Sequence, residues 1–291
     1  MRLTFLGTGT SSGVPVIGCD CAVCTSTDPR DARLRTSAIL RWTDPGGQPR
    51  ALLLDAGPDL RTQALRERLD RCDAIFFTHN HVDHTFGLDE VRRFNVMMGR
   101  QPINIYAEPE TMDHLRRVYT HIFDRARNVN DSFVASLIPW TITEEDVRTG
   151  RPVHLHGLEI RPIRLLHGRL PVLGFRIDRA APAASASSDP LSNPISNPLP
   201  DILPLAYCTD VSAIPSASWP ILSGLKTLVL DALRHRKHPT HFTLAEAMSA
   251  AESINAGHTY FVHMTHDLPH EATQATLPEN MSLAHDGLTI P

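Results

Sequence analysis

The stretch Thr78-His79-Asn80-His81-Val82-Asp83-His84 places four candidate metal ligands within six residues. It follows directly on the apolar run at residues 74–77, which is typical of a short buried strand. Imidazole and carboxylate groups together suit zinc, manganese or iron. A buried strand that ends in such a segment therefore predicts a metal site.

Composition limits the classes of function that fit the chain. The 291 residues suit one large domain or two small ones, and the net charge of −4 gives no electrostatic reason to expect nucleic acid. No apolar run approaches the length that crosses a bilayer, and the N-terminus lacks the pattern of a secretory signal. We therefore expect a cytoplasmic protein without a membrane partner, in which clustered cysteines bind metal.

Strand-like and helix-like runs alternate along the chain and predict an α/β protein. The strand-like runs lie at residues 3–6, 37–42, 51–54, 74–77, 103–107, 158–165, 173–177, 205–208, 227–230 and 259–262. The helix-like runs lie at residues 59–68, 88–95, 109–123 and 243–254. Thr243 can cap the last of these, with Glu246 three residues further on, as in a capping box. This order alone does not separate a doubly wound sheet from a four-layer sandwich.

One segment differs in composition from its surroundings. Ala, Ser, Pro and Asn dominate residues 180–204, and such a stretch cannot bury enough apolar surface to order itself. It lies between two strand-like runs, so we interpret it as a flexible insertion in a loop. The prediction is a single domain over residues 1–291 with this insertion at about 180–204.

A cysteine cluster is the second strong signal. Cys19, Cys21 and Cys24 lie within six residues, and three thiolates need a fourth ligand to close a tetrahedral zinc site. His266 is the candidate fourth ligand for a structural zinc. It follows His263 by three residues, so one turn would serve two sites. A redox-active cluster is the alternative.

The motif H-x-H-x-D-H resembles that of the metallo-β-lactamase fold hydrolases. The glycine-rich loop at residues 6–15, the cysteine segment, the run at residues 54–57 and the pair Thr265-His266 extend this resemblance over nearly the whole chain. Together they make the chain similar to the phosphoribosyl 1,2-cyclic phosphate phosphodiesterases of the carbon–phosphorus lyase pathway and their relatives. The resemblance implies an α/β fold, namely an αββα four-layer sandwich with two mixed β-sheets.

The same resemblance implies roles for individual residues. One catalytic ion would be held by His79, His81, His167 and Asp210. The other would be held by Asp83, His84, Asp210 and His263. Both ions would be zinc or manganese, and Asp83 would also serve catalysis. Asp55 would orient a metal-bound histidine. His241 would be the general acid, and the phosphate would be held by Arg234, His235 and His238.

The implied reaction is hydrolysis of a small cyclic phosphodiester by attack of a metal-bound hydroxide on phosphorus. The substrate would be of the phosphoribosyl 1,2-cyclic phosphate or 2′,3′-cyclic nucleotide type, and the resemblance also suggests a homodimer. Three alternatives stay open. These are an RNA-processing nuclease resembling tRNase Z, another ester or thioester hydrolase on the same fold, and a non-catalytic metal-binding protein.

Overall fold

Two β-sheets form the centre of the molecule. The computed structural model describes residues 1–181 and 201–291, and within these residues each sheet has seven strands. The first sheet contains β1 (Arg2–Gly7), β2 (Ser37–Thr43), β3 (Pro49–Leu54), β4 (Ala74–Phe76), β5 (Ile103–Ala107), β6 (Leu137–Thr141) and β14 (Thr289–Ile290). The second contains β7 (Val153–Leu155), β8 (Leu158–His167), β9 (Leu170–Arg179), β10 (Leu205–Cys208), β11 (Thr227–Asp231), β12 (His258–Val262) and β13 (Met281–Leu283).

The two sheets have matching patterns of strand direction. In the first, of order β14-β1-β2-β3-β4-β5-β6, the pairs up to β3 are antiparallel and the later pairs are parallel. In the second, of order β7-β8-β9-β10-β11-β12-β13, the pairs up to β10 are antiparallel and the later pairs are parallel. Both sheets are therefore mixed, as expected.

Helices cover the sheets and connect their strands. The α-helices are α1 (Leu60–Arg66), α2 (Val82–Thr85), α3 (Arg92–Met97), α4 (Pro109–Val118), α5 (Thr120–Phe123), α6 (Glu144–Thr149), α7 (Leu244–Ile254) and α8 (His270–Gln274). Short 3-10 helices lie at Pro29–Asp31, Leu88–Val91, Arg125–Arg127 and Ser216–Leu222. The predicted capping box begins α7, because Thr243 Oγ1 accepts from Glu246 N and the Glu246 side chain accepts from Thr243 N.

The apolar core is divided into layers by the alternation of side chains along each strand. In β4, Phe76 belongs to the cluster between the two sheets, whereas Ile75 belongs to the cluster under the helices of the first sheet. In β9, Phe175 lies in the same central cluster, whereas Val172 lies under α7. The predicted αββα sandwich is thereby confirmed.

Nine of the ten predicted strands fall within observed strands, and the tenth, at 74–77, extends one residue beyond β4. Four observed strands were not predicted, namely β6, β7, β13 and β14. β6 is mostly exposed and carries Pro139, while the other three have two or three residues, too few for a periodic signal. The predicted helix at 109–123 is divided at Tyr119 into α4 and α5.

Two further predictions concern the insertion and the membrane. The predicted insertion at 180–204 falls largely on residues 182–200, which lie outside the described residues, so the single-domain arrangement stays a prediction. Among the helices of the described ranges, none combines the length and the apolar character needed to cross a membrane.

Candidate metal centre

The candidate site lies where strands end. Asp55, His79, Asp210 and His263 follow β3, β4, β10 and β12, and His167 is the last residue of β8. β3 and β4 are parallel, and β8, β10 and β12 run in one direction in the second sheet. The carboxyl ends of such strands form one edge, which is the usual ligand-binding edge of α/β folds.

Three of these residues have an uncommon backbone conformation. Asp55, Asp210 and His263 have φ angles of 61°, 57° and 63°, in the left-handed region. Residues other than glycine occupy this region rarely and at an energetic cost, and such positions cluster at functional sites. Their occurrence at three strand ends of the site indicates that the backbone is strained locally and held by the surrounding fold.

Two groups of candidate ligands lie side by side. The ligand atoms of the first group all lie within 4.8 Å of one another, and the group comprises His79, His81, His167 and Asp210. The same holds for the second group, which comprises Asp83, His84 and His263. Asp210 also touches the second group, because its Oδ2 lies 3.2 Å from His84 Nε2 and its Oδ1 lies 3.3 Å from His263 Nε2. The structure thus brings together all seven predicted ligands.

Buried nitrogen atoms without partners test whether metal ions fit here. The Nε2 atoms of His79, His84 and His263 are buried and have no hydrogen-bond partner of acceptable geometry in the described part of the chain. Buried polar atoms are nearly always satisfied. Three imidazole nitrogens that face the same carboxylate groups fit a site for divalent metal ions.

The charges around His84 also fit a site for divalent metal ions. Its Nδ1 lies 2.8 Å from Asp55 Oδ2, and its Nε2 lies 3.3 Å from Asp83 Oδ2 and 3.2 Å from Asp210 Oδ2. Burial lowers the pKa of His84, but the three carboxylates outweigh it and raise that pKa well above its ordinary value. Three buried carboxylates around one imidazole require positive charge, which bound divalent cations would supply.

Asp55 is placed to orient one ligand. Its carboxylate accepts hydrogen bonds from Thr78 N and Thr78 Oγ1, at 2.8 and 2.9 Å, and faces His84 Nδ1. His84 Nε2 therefore points towards Asp83 and Asp210. This is the orientation that a carboxylate bonded to the other ring nitrogen gives to a metal-binding histidine. A Cβ atom on Gly57 would lie 2.1 Å from the carbonyl oxygen of Asp83, so glycine is needed where this loop packs on α2.

Asp231 is a site residue that the sequence analysis did not single out. It is fully buried at the end of β11, with Oδ2 2.9 Å from His241 Nδ1 and Oδ1 3.7 Å from His263 Nδ1. The rings of His241 and His263 are stacked, with centroids 4.7 Å apart. An aspartate after an apolar strand, as at Asp55 and Asp210, was the signal that could have found it.

The three predicted phosphate-binding residues differ in their placement. The His238 ring lies 5.3 Å from the His241 ring, so it borders the site. The guanidinium of Arg234 donates to the carbonyl oxygens of Arg236 and Lys237 and braces its own loop, and His235 is exposed. Substrate contact by these three residues stays a prediction.

The cysteine cluster closes around one histidine. The Sγ atoms of Cys19, Cys21 and Cys24 lie 3.3, 3.4 and 3.3 Å from His266 Nδ1. Zn–S and Zn–N bonds in tetrahedral geometry put such atoms about 3.5 Å apart. The backbone N–H of Cys24 lowers the pKa of the Cys21 thiol to about 7, towards the thiolate that binds metal. These four residues fit a structural zinc better than a disulfide exchange site.

A buried arginine fixes the turn that connects the two sites. Arg33 is 1% exposed, and its guanidinium donates to the carbonyl oxygens of Thr265 and Leu268 on either side of His266. The glycine-rich loop contacts the same turn, since Thr10 N donates to Met264 O. The N-terminal segment thus holds the turn that carries both His263 and His266.

Comparisons with known proteins agree with this fold. The family model described as β-lactamase superfamily domain matches residues 50–264. A solved structure described as a new diphosphatase from the PhnP family is 40% identical, with a TM-score of 0.80, over 100% of this chain and 97% of that chain. Human tRNase Z, short form, is 19% identical over 100% and 99% of the two chains, with a TM-score of 0.67, which supports the fold alone.

One curated relative is much longer than this chain. An octanoyltransferase of Porphyromonas gingivalis is 31% identical over 290 residues, which are 99% of this chain and 51% of that protein. This chain therefore spans about half the length of that relative.

Replacing Asp55 by asparagine tests its orienting role. Asparagine tolerates the left-handed backbone but carries no charge, so we expect affinity for the catalytic metals to fall about 10- to 100-fold. Competitive titration with a chelator measures that affinity. The control is Asp178→Asn, which removes a carboxylate bonded to Arg161 and Arg176 at the distant part of β9. Equal affinities in the two variants would contradict the role.

Proposed function

Since this chain belongs to the β-lactamase superfamily and, within it, to the PhnP family, we propose that it is a metal-dependent hydrolase and that it cleaves small cyclic phosphodiesters to phosphomonoesters. The observation that carries the proposal is the position of Asp210 between the two ligand groups, with Oδ1 4.0 Å from His79 Nε2 of the first and Oδ2 3.2 Å from His84 Nε2 of the second. Two adjacent cation sites that share one carboxylate suit a phosphate ester with its paired oxygens.

The residues of the two groups would hold zinc or manganese, since imidazole and carboxylate ligands suit both. Bound there, the metals would activate water near neutral pH and neutralise the charge that develops on the phosphate. The protein fixes the spacing, because ligands come from strand ends of both sheets. Asp83 and His84 lie on one turn of α2, so their relative placement depends on that helix.

His241 is proposed as the group that protonates the departing alkoxide. Its Nδ1 faces Asp231 Oδ2 at 2.9 Å, so the ring is held in one orientation, and we assign its Nε2 to the substrate. In the protonated ring, Nε2 gives its proton to the leaving oxygen, and Nδ1–H stays bonded to Asp231. Asp231 is therefore proposed as a positioning residue.

A substrate panel tests the reaction. It compares 2′,3′-cyclic AMP, a phosphoribosyl 1,2-cyclic phosphate, a nucleoside diphosphate, a precursor tRNA and an octanoyl thioester. The diphosphate and thioester arms follow from the named relatives, and the tRNA arm covers the nuclease alternative. We expect the highest kcat/KM for a cyclic phosphodiester. A higher value for any of the other three substrates would replace the proposed reaction by that one.

Metal analysis tests the proposed sites separately from turnover. We expect about three divalent metals per chain, two in the catalytic groups and one at the cysteines. Cys24→Ser is expected to lose about one zinc and to keep the other two metals, because the catalytic groups share no ligand with the cysteine site. The control is His154→Ala, an exposed histidine. A single metal in the unaltered protein would contradict the two-metal centre.

Replacing His241 by alanine tests its role as an acid. For a cyclic phosphate with an alkoxide leaving group, we expect kcat to fall about 10²- to 10⁴-fold with metal content unchanged. For bis(p-nitrophenyl) phosphate the fall should be much smaller, because p-nitrophenolate leaves without a proton. His154→Ala is again the control. Equal losses on both substrates would show that His241 does not act as the acid.

A further inference from the structure

A cavity of ≈ 340 Å³ lies at the edge of the first sheet opposite the metal groups. It is bordered by the start of β1, the end of β2, the start of β3 and residues 69–71, which precede β4. We call it the arginine cavity, because its lining includes Arg2, Arg41, Arg50 and Arg71. Asp55 follows the far end of the six-residue strand β3, and at about 3.3 Å per residue the two sites are roughly 15 to 20 Å apart. The arginine cavity is therefore separate from the candidate metal centre.

Two arginines of the cavity have carboxylate partners. Arg50 lies between two aspartates, with Nε 2.7 Å from Asp44 Oδ2 and Nη1 3.1 Å from Asp73 Oδ1. Arg71 donates two hydrogen bonds to Asp73, each of 2.7 Å. The hydrogen bond to Asp73 raises the pKa of Arg71, and the charge of the exposed Asp70 adds to that rise. These two cations are therefore balanced and held in place.

The other two arginines repel each other. Arg2 and Arg41 are directly opposite in the antiparallel pair β1–β2, so their side chains share one face of the sheet, an arrangement that destabilises a pair of like charges. Among the residues that the structure describes, neither forms an ion pair with a carboxylate. Arg41 Nη2 donates to Thr4 Oγ1 at 3.0 Å, while its Nε is buried without a hydrogen-bond partner, which is rare for a buried polar atom. The unbalanced positive charge of the cavity therefore belongs to Arg2 and Arg41.

The chemistry of the arginine cavity suits a phosphate group. A guanidinium presents a planar fork of N–H donors that matches two phosphate oxygens. A phosphate dianion compensates the charges of both unbalanced arginines, whereas a carboxylate compensates only one. The cavity volume lies at the lower end of the range for small-molecule sites, about 300 to 1,000 Å³. The cavity can therefore take the phosphate ester of a small molecule as well as the inorganic ion.

We propose that the arginine cavity is a binding site for a phosphate dianion, either the inorganic ion or the monoester of a small molecule, held by the guanidinium groups of Arg2 and Arg41. Arg50 and Arg71 form the fixed side of the site. Binding removes the repulsion between the two opposed cations, so the ligand also stabilises the folded protein. The site does not depend on the reaction proposed for the metal groups.

Calorimetric titration of the metal-loaded protein with inorganic phosphate and with ribose 5-phosphate tests the site. The metal groups can also bind phosphate, so the informative quantity is the difference between the unaltered protein and its variants. We expect Arg2→Gln and Arg41→Gln each to weaken one binding event about 10- to 150-fold, because a charged hydrogen-bond donor is lost. The event at the metal groups should stay unchanged. The control is Arg148→Gln, which removes an exposed arginine paired with Glu145 on α6.

The two ligands identify the occupant. Tighter binding of ribose 5-phosphate supports the site and assigns it to a monoester, and tighter binding of inorganic phosphate supports it and assigns it to the ion. Phosphate binding that is the same in the unaltered protein and in both arginine variants would overturn the site, as would an equal loss in Arg148→Gln. Arg2 is exposed, so Arg2→Gln keeps the test decisive even where Arg41→Gln does not fold. The titration involves no turnover, so its outcome is separate from that of the substrate panel.

Discussion

The convergence of three carboxylates on the buried ring of His84 is the constraint on which the site depends. Asp55, Asp83 and Asp210 approach that ring from three segments of the chain, within 2.8 to 3.3 Å. Gathering like charges away from water is strongly unfavourable unless cations share the space. The site can therefore be stable only with compensating positive charge, and the fold is arranged to receive it. Metal bound there would couple its binding to folding, as metal sites commonly do.

The fold supports this arrangement by ending strands at the same edge and accepting strain there. Asp55, Asp210 and His263 each leave a strand through the left-handed region, a conformation that the surrounding structure must stabilise. Hydrogen bonds from Thr78 to Asp55 and from Thr209 Oγ1 to Asp210 provide part of that support. The backbone strain is confined to these strand ends, and it gives the ligands their positions.

The structure brings together the ligands that the sequence predicted, because most of them follow a strand that can be recognised in the sequence. His167, Asp210 and His263 were assigned from the family resemblance, which implies further ligands in this order behind the histidine motif, and each follows an apolar strand-like run. Asp231 was missed because its role depends on its contacts with His241 and His263. The contact with His263 forms only when β11 and β12 pair. The helix α2 was missed because four residues are too few for helical periodicity. Local patterns thus indicate candidate ligands, whereas the residues that orient them are recognised only from tertiary contacts.

The spacing between the ligand groups depends on the core beneath them. His79 comes from the first sheet, whereas His167 and Asp210 come from the second. The sheets are joined directly below the site, where Leu173 N donates to Thr78 O at 2.9 Å. Further in, the ring of Phe76 meets the edge of Phe175 at 5.2 Å. Metal–ligand distances tolerate changes of only about 0.2 Å, so the packing of these side chains between the sheets affects the separation of ligands that come from both sheets. The geometry of the candidate metal centre therefore depends on the packing of the central core.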